Sequence, residues 1–423
     1  MSERTARRWI WAAVAIGLAL RIAFGAFYWV GKPLTHDERE YLALARGLTE
    51  GRGFAYDPTI LTGTVQQFGR APGYPAFLAI IGAGREAHDS SPQRVKTAQA
   101  FAGAAVVGLI GVIALGAAGP LAGAGGATLA AVYPPLVWIP AYVFSESVYS
   151  VMALLSAYVL QLAATGNSRI AAGEEQRGER RSTGLVIAAG GLAGLGILIR
   201  PAMLFFVPLA AIWLLRRRQL RLAVTFVMMA AAVVAPWTAR NFRAHGRFVL
   251  VASEGGVTFW TGNHSAARGE GDLSANPQLE IAELEFRRSH PGLTPEELEP
   301  LYYRDALHSI AAEPGRWFVL VLRKLFFTVV PAGPSYTLHS TRYWAASVAS
   351  YLLVLPMALI GLGRLWRAKR RPTAVLLLGA SAVLVCLVFF PQERFRIPVI
   401  DPVLIISAAA AIGTSRLSAW PRS

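Results

Sequence analysis

Long apolar runs recur along the whole chain, separated by short arginine-rich segments and, twice, by long polar stretches. Ten of these runs approach the length of a membrane-crossing helix: roughly 9–31, 95–117, 119–139, 145–164, 184–200, 201–215, 222–239, 344–363, 373–390 and 398–414. The run at 201–215 is short and depends on its flanks. The pattern predicts an all-α polytopic membrane protein with about ten transmembrane helices and two long loops, 32–94 and 240–343, that bear amphipathic helices. Residues 314–331, PGRWFVLVLRKLFFTVVP, could form an eleventh span, but Arg323 and Lys324 fall in mid-segment. A charge at the bilayer centre costs about 2.5–3.5 kcal/mol on insertion scales, which favours a helix lying in the interface.

Composition supports this class. Of 423 residues 54% are apolar and only 16% charged, where a soluble protein carries about 25% charged residues. The net charge of +16 does not point to nucleic acid, because the arginines cluster in short segments between apolar runs. Arg4, Arg7 and Arg8 precede the first span; Arg169, Arg177, Arg180 and Arg181 follow the fourth; Arg216, Arg217, Arg218 and Arg221 follow the sixth. Arg364, Arg367, Lys369, Arg370 and Arg371 follow the eighth, and Arg416 and Arg422 the last. With ten spans all fall on one side, so both termini are expected in the cytoplasm and both long loops outside the plasma (inner) membrane. The basic start followed by an apolar stretch is read as a retained helix rather than a signal peptide. The single cysteine, Cys386, excludes an internal disulfide. The expected division is a catalytic transmembrane core at 1–239, a second outer loop at 240–343 and C-terminal helices at 344–423, with 168–183 a charged linker.

All seven histidines and most acidic residues fall in the two loops. In THDEREYLALARGLTEGRGF, Thr35 and Glu38 form a capping-box pattern that starts a helix at His36, and Gly51 and Gly53 end it. Asp37, Tyr41, Leu44 or Ala45, and Leu48 share its buried stripe. Glu38 is explained as a cap, whereas a carboxylate at Asp37 is expensive without a partner or a task. In FGRAPGYPAFLA the prolines make a rigid turn after Arg70. By itself Arg70 reads as an ordinary arginine reaching the headgroups. Glu146, in YVFSESVYSVMALL, is an acid in a long apolar run and so a functional candidate. Arg200, Arg240, Arg394 and Arg396 are expected to converge with Arg70 at one membrane depth, a set that suits a lipid phosphate. Arg21, inside the first span, is expected to pair with an acid. SEGGVTFWTGNH, at 253–264, has the glycine and aromatic content of a sugar or headgroup contact. There is no phosphate-binding glycine loop and no HExxH, CxxC or GxSxG motif. His36, Asp37 and Glu38 are a weak metal signal.

With these motifs in order, HDEREYLALARGL, RAPGYPAFLA, SES, LIRPAMLFFVP, APWTARNFRAHGRFVLVASEGGVTFWTGNH and RFRIPVI, the chain resembles the GT-C glycosyltransferases. The resemblance is nearest to the bacterial branch related to protein O-mannosyltransferases and lipid A aminoarabinose transferases. It implies transfer of a sugar from a polyprenyl-phosphate carrier in the membrane lipid to an acceptor hydroxyl, with inversion and without a nucleotide sugar or a required cofactor. Asp37 matches the family's general base, Glu38 the acid beside it, Glu146 a second acidic position and Arg70 a donor-phosphate contact. Arg200, Arg240, Arg394 and Arg396 are the further phosphate candidates, and His36, Tyr41, Tyr74 and Asn263 the substrate contacts. The acceptor class is left open: protein, lipid or glycan. One departure is Gly69, where the aminoarabinose branch carries an acid, so that branch's substrate or metal contacts do not transfer directly. The alternatives are a transporter or flippase of lipid-linked saccharides, which should place polar groups near the bilayer midplane, and a non-catalytic assembly protein.

Overall fold

The computed structural model describes residues 1–55, 69–85, 87–170, 175–271, 273–330, 340–367 and 371–413; within them the side chains of 167–170, 175–180 and 274 are left out. His339, Lys369, Arg370, Arg416 and Arg422, and the side chains of Arg169, Arg177 and Arg180, therefore lie outside the described residues. The chain is helical, and no strand occurs among the described residues. In order the helices are α1 (Glu3–Ala23, extended by a π-turn to Tyr28), α2 (His36–Thr49), α3 (Gly73–Ile80), α4 (Gln93–Ala118), α5 (Pro120–Val132) and α6 (Pro134–Trp138). Then come α7 (Glu146–Ile170), α8 (Glu175–Ile199), α9 (Phe206–Arg216), α10 (Leu220–His245), α11 (Gly255–Asn263) and α12 (Pro277–Arg288). The last six are α13 (Pro295–Ala312), α14 (Pro314–Val329), α15 (Thr341–Arg367), α16 (Thr373–Val388), α17 (Glu393–Arg396) and α18 (Ile400–Ile412).

Six helices among the described residues are long and apolar enough to cross a membrane, and a pair bent by 62°, Pro120–Val132 with Pro134–Ala141, makes a seventh. Three shorter apolar helices, Pro201–Arg216, Thr373–Val388 and Ile400–Ile412, occupy the remaining predicted positions. The protein is thus a multi-pass membrane protein with two helical loop regions, the first carrying α2 and α3 and the second α11 to α14.

The bend in the third span explains Arg21, whose partners are carbonyls and not the expected acid. Pro134 and Pro135 have no N–H, so the carbonyls four residues earlier, Ala130 and Ala131, lose their helical donors. Arg21 supplies them, Nη2 to Ala130 O at 3.2 Å and Nη1 to Ala131 O at 3.3 Å. Gly17 and Gly103 make room for it: a Cβ at either would stand 2.9 Å or less from the guanidinium. A long buried arginine thereby replaces two missing backbone hydrogen bonds.

On α14 the exposed face carries Phe318, Val319, Leu322 and Phe326, whereas Lys324 is fully buried. One of the two charges that weigh against a span therefore faces protein. At 16 residues, α14 is shorter than the helices that qualify as spans.

Candidate active site

Thr35 and Glu38 start α2 as the local pattern predicts: Glu38 Oε2 accepts from Thr35 N at 2.8 Å and from Thr35 Oγ1 at 2.9 Å. The other oxygen of Glu38 accepts from Val143 N at 2.8 Å, which pins α2 to the turn just before Glu146. Glu146 opens α7, where the helix dipole favours an acid. The start of α3 lies directly on the end of α8, because Gly73 has no side chain: a Cβ there would meet Ile199 N at 2.9 Å. This brings Arg70, just before α3, to the level of Arg200, just after α8. Gly69 and Ser253 exchange two hydrogen bonds, Gly69 N to Ser253 Oγ at 2.8 Å and Ser253 N to Gly69 O at 3.0 Å. That latch sets Glu254 beside Arg70.

These contacts assemble a ladder of alternating charge. Arg70 donates Nη1 to Glu254 Oε2 at 2.7 Å, Nε to Glu40 Oε2 at 2.7 Å and Nη2 to Asp37 Oδ1 at 2.7 Å. Arg394 donates Nη1 to the other Asp37 oxygen at 2.5 Å and Nε to Glu146 Oε1 at 2.9 Å. Arg200 Nη1 reaches the same Glu146 oxygen at 2.8 Å. Aromatic rings support each guanidinium: Tyr41 under Arg70 at 5.5 Å, Phe144 under Arg394 at 4.1 Å and Phe395 under Arg200 at 4.7 Å. Burial works to raise the Asp37 pKa, but Arg70 and Arg394 outweigh it and hold the carboxyl well below the usual carboxylate range. Burial raises Glu254 despite Arg70, and pushes Glu299 up to about 7. A hydrogen bond to Glu40 raises His36.

The ladder borders a cavity of about 1220 Å³. Its polar wall includes His36, Asp37, Glu40, Arg70, Arg200 and Arg394; Ile199, Leu204, Phe205, Val385, Val388 and Phe389 give it an apolar wall. The distribution of cation is uneven. Arg70 is bonded to three carboxylates, whereas among the described residues Arg200 and Arg394 have Glu146 and Asp37 between them. The end at Arg200 and Arg394 is thus the better place for an anion.

Of the residues expected from sequence, His36, Asp37, Tyr41, Arg70, Arg200 and Arg394 line the cavity together. Glu146 lies behind it, fully buried, holding two arginines in place. The others sit elsewhere. Tyr74 is buried, its hydroxyl on Gln99 and its ring edge-on to Tyr41. Arg240 stacks on Trp237 and donates to Phe54 O. Arg396 pairs with Asp401 at 3.0 Å, over Tyr351. The Asn263 amide bonds Phe259, Val388, Trp317 and Lys324. Glu40 and Glu254 join the ladder without having been expected. Glu40 was readable as the residue three positions after Asp37 on one helix face; Glu254 needed the latch at Ser253. Beside Gly69 the space is taken by Ser253 Oγ and Glu296 Oε1, and Glu254 brings a carboxylate to Arg70 from another part of the chain. Among the described residues no group of three or more His, Cys, Asp or Glu is arranged to hold a metal ion.

No protein-family model matches the chain, and no curated protein does either. Solved structures do match. The oligosaccharyltransferase of Archaeoglobus fulgidus, tethered to an acceptor peptide containing the NVT sequon, aligns over 95% of this chain and 49% of its own at 14% identity and TM-score 0.55. An oligosaccharyltransferase AglB from Archaeoglobus fulgidus, in complex with an inhibitory peptide and a dolichol-phosphate, aligns over 95% of this chain and 50% of its own at 14% identity and TM-score 0.53. ArnT from Cupriavidus metallidurans bound to undecaprenyl phosphate aligns over 96% and 78% at 14% identity and TM-score 0.42. The chain spans about half the length of each archaeal enzyme.

Proposed function

We propose that this chain, which has the GT-C fold, is a glycosyltransferase that moves a sugar from a polyprenyl-phosphate carrier to an acceptor hydroxyl. The observation that carries this reading is the ladder itself. It places a carboxylate, Asp37, and two arginines, Arg394 and Arg200, on one cavity that also has an apolar wall. A phosphate leaving group needs cationic stabilisation, and an acceptor hydroxyl needs a base within hydrogen-bond reach. In this reading the phosphate lies on Arg394 and Arg200, and the lipid tail runs along the apolar wall. The phosphate competes with Asp37 for the Nη1 of Arg394. Its arrival frees one Asp37 oxygen and relieves part of the field that depresses its basicity. The acceptor oxygen then attacks the anomeric carbon, the bond from that carbon to the phosphate oxygen breaks with inversion, and the hydroxyl proton passes to Asp37. Polyprenyl phosphate leaves as the anion on the two arginines. Arg70, already compensated by three carboxylates, orders the acidic side of the site. In this reading, which the arginine-rich segments support, the termini lie in the cytoplasm and the cavity opens on the outer face of the plasma membrane.

The test is a panel of labelled polyprenyl-phosphate sugars offered to the purified protein with candidate acceptors. Release of polyprenyl phosphate by wild type and a loss of at least about 100-fold in Asp37→Asn is expected. Wild-type rate in Asp37→Asn removes the base assignment. Movement of unaltered lipid-linked saccharide across vesicles, without release, replaces the enzyme with a transporter.

A further inference from the structure

The end of α16 is held by residues from outside the helix. The last carbonyls of a helix lack intrahelical donors, and Phe389-Phe390-Pro391 provides no glycine for a left-handed cap. Lys324 Nζ donates to Leu387 O at 3.2 Å, and Asn263 Nδ2 to Val388 O at 2.8 Å. The two donors are themselves joined. Lys324 Nζ also donates to Asn263 Oδ1 at 3.0 Å, which accepts from Trp317 Nε1 at 3.0 Å as well, and Asn263 Nδ2 also donates to Phe259 O at 2.8 Å. Oxygen and nitrogen of this amide each serve two partners, so the network fixes its orientation.

Lys324 is fully buried, and among the described residues its hydrogen-bond partners are Asn263 and the Leu387 carbonyl, not a carboxylate. Burial makes its charge expensive, and the nearby Glu270 carboxylate offsets only part of that cost. Here the ammonium faces the negative end of the α16 dipole, the position where a cation is favoured. The segment that follows is pressed against α11 and the loop after it. A Cβ at Gly262 would stand 1.9 Å from Phe389 O, and one at Gly271 2.8 Å from Pro391 O. Three residues beyond Pro391 is Arg394.

We propose that Lys324 and Asn263 are positioning residues: they clamp the end of α16 and thereby aim Arg394 into the cavity. The proposal rests on Arg394 as the phosphate ligand. Neither residue lines the cavity, so both act through the backbone they hold.

Two measurements on the detergent-purified protein test it: hydrogen exchange over residues 389–396, and binding of undecaprenyl phosphate. Lys324→Met and Asn263→Ala are expected to speed exchange in 389–396 more than in α2 or α7, and to weaken undecaprenyl phosphate roughly tenfold. Lys324→Arg restores most of both. In an Arg394→Gln background, Lys324→Met adds no further weakening, whereas general loosening of the fold would add the same factor again. Unchanged exchange in 389–396, or equal weakening in both backgrounds, overturns the proposal. Should Lys324→Met fail to fold, Asn263→Ala carries the same comparison. Faster local exchange in the variants with no wild-type affinity for undecaprenyl phosphate supports the clamp and overturns the glycosyl-transfer reading instead.

Discussion

Arg70 and Glu254, 184 positions apart, are joined by a 2.7 Å hydrogen bond between Nη1 and Oε2. That bond ties the first loop region to the start of α11 across one edge of the cavity. Glu254→Gln keeps the shape and removes the charge, while Arg70 retains Asp37 and Glu40. A loss of about 1.5–3 kcal/mol is expected, the range for a hydrogen bond to a charged group. Thermal unfolding in detergent should show a lower Tm, and a variant as stable as wild type would mean that Asp37 and Glu40 alone suffice for Arg70.

Arg200 and Arg70 should behave differently when each is changed to glutamine. Arg200→Gln is expected to raise the donor KM by roughly tenfold, about 1.4 kcal/mol, with a smaller change in Tm. Arg70→Gln leaves Asp37, Glu40 and Glu254 facing one another without their shared cation, so its main effect should be on folding. Initial rates over a donor series, with Tm for each variant, separate the two. The opposite assignment would place the phosphate at Arg70.

Arg21→Met removes the donors for the Ala130 and Ala131 carbonyls while keeping the length of the side chain. Each unsatisfied buried carbonyl costs about 1–3 kcal/mol. Tm should fall clearly, and donor KM should stay within about twofold where the protein remains folded. A shift in donor KM without a fall in Tm would show that the bend in the third span serves the site directly.

Glu299 gives the stability a pH dependence of unusual sign for a carboxylate. Burial raises it to about 7 from an ordinary 4.5. Between those values the folded protein keeps a proton that the unfolded chain has released, so its contribution to stability falls as pH rises through the window. The Tm difference between wild type and Glu299→Gln is expected to move against wild type from about pH 4.5 to pH 7 and level off beyond. A flat difference over that range would place the Glu299 carboxyl in water.

Local signals were readable in the sequence and distant ones were not. The Thr35 and Glu38 cap depends on spacing within one turn, and the ten apolar runs on composition, so both could be read without the fold. The stripe containing Asp37 and Tyr41 was likewise readable from helical periodicity. Arg21 was expected to meet an acid because a buried charge usually does; that Pro134 and Pro135 strip two carbonyls of donors becomes relevant once α1 packs against the bend. Glu254 carries no local mark of its own and gains its place through the backbone latch between Gly69 and Ser253. Asn263 sits in a stretch whose composition suits sugar contact, yet its amide is occupied by the end of α16 and by α14. Arg240 and Arg396 share the expected depth of the other arginines, but side-chain direction, which the span pattern does not encode, takes them to Phe54 and Asp401.

The ladder draws its rungs from five widely separated places: the first loop with Asp37, Glu40 and Arg70, the start of α7 with Glu146, the end of α8 with Arg200, the start of α11 with Glu254, and the turn after α16 with Arg394. During synthesis the carboxylates Asp37 and Glu146 therefore emerge long before the guanidinium that bridges them. A nascent chain that has inserted everything through α16 already holds Asp37 against Arg70 and Glu146 against Arg200, and lacks only the guanidinium that joins the two pairs. Completion of the site is thus among the last events of assembly, and an interrupted chain carries both pairs without the bridge that joins them.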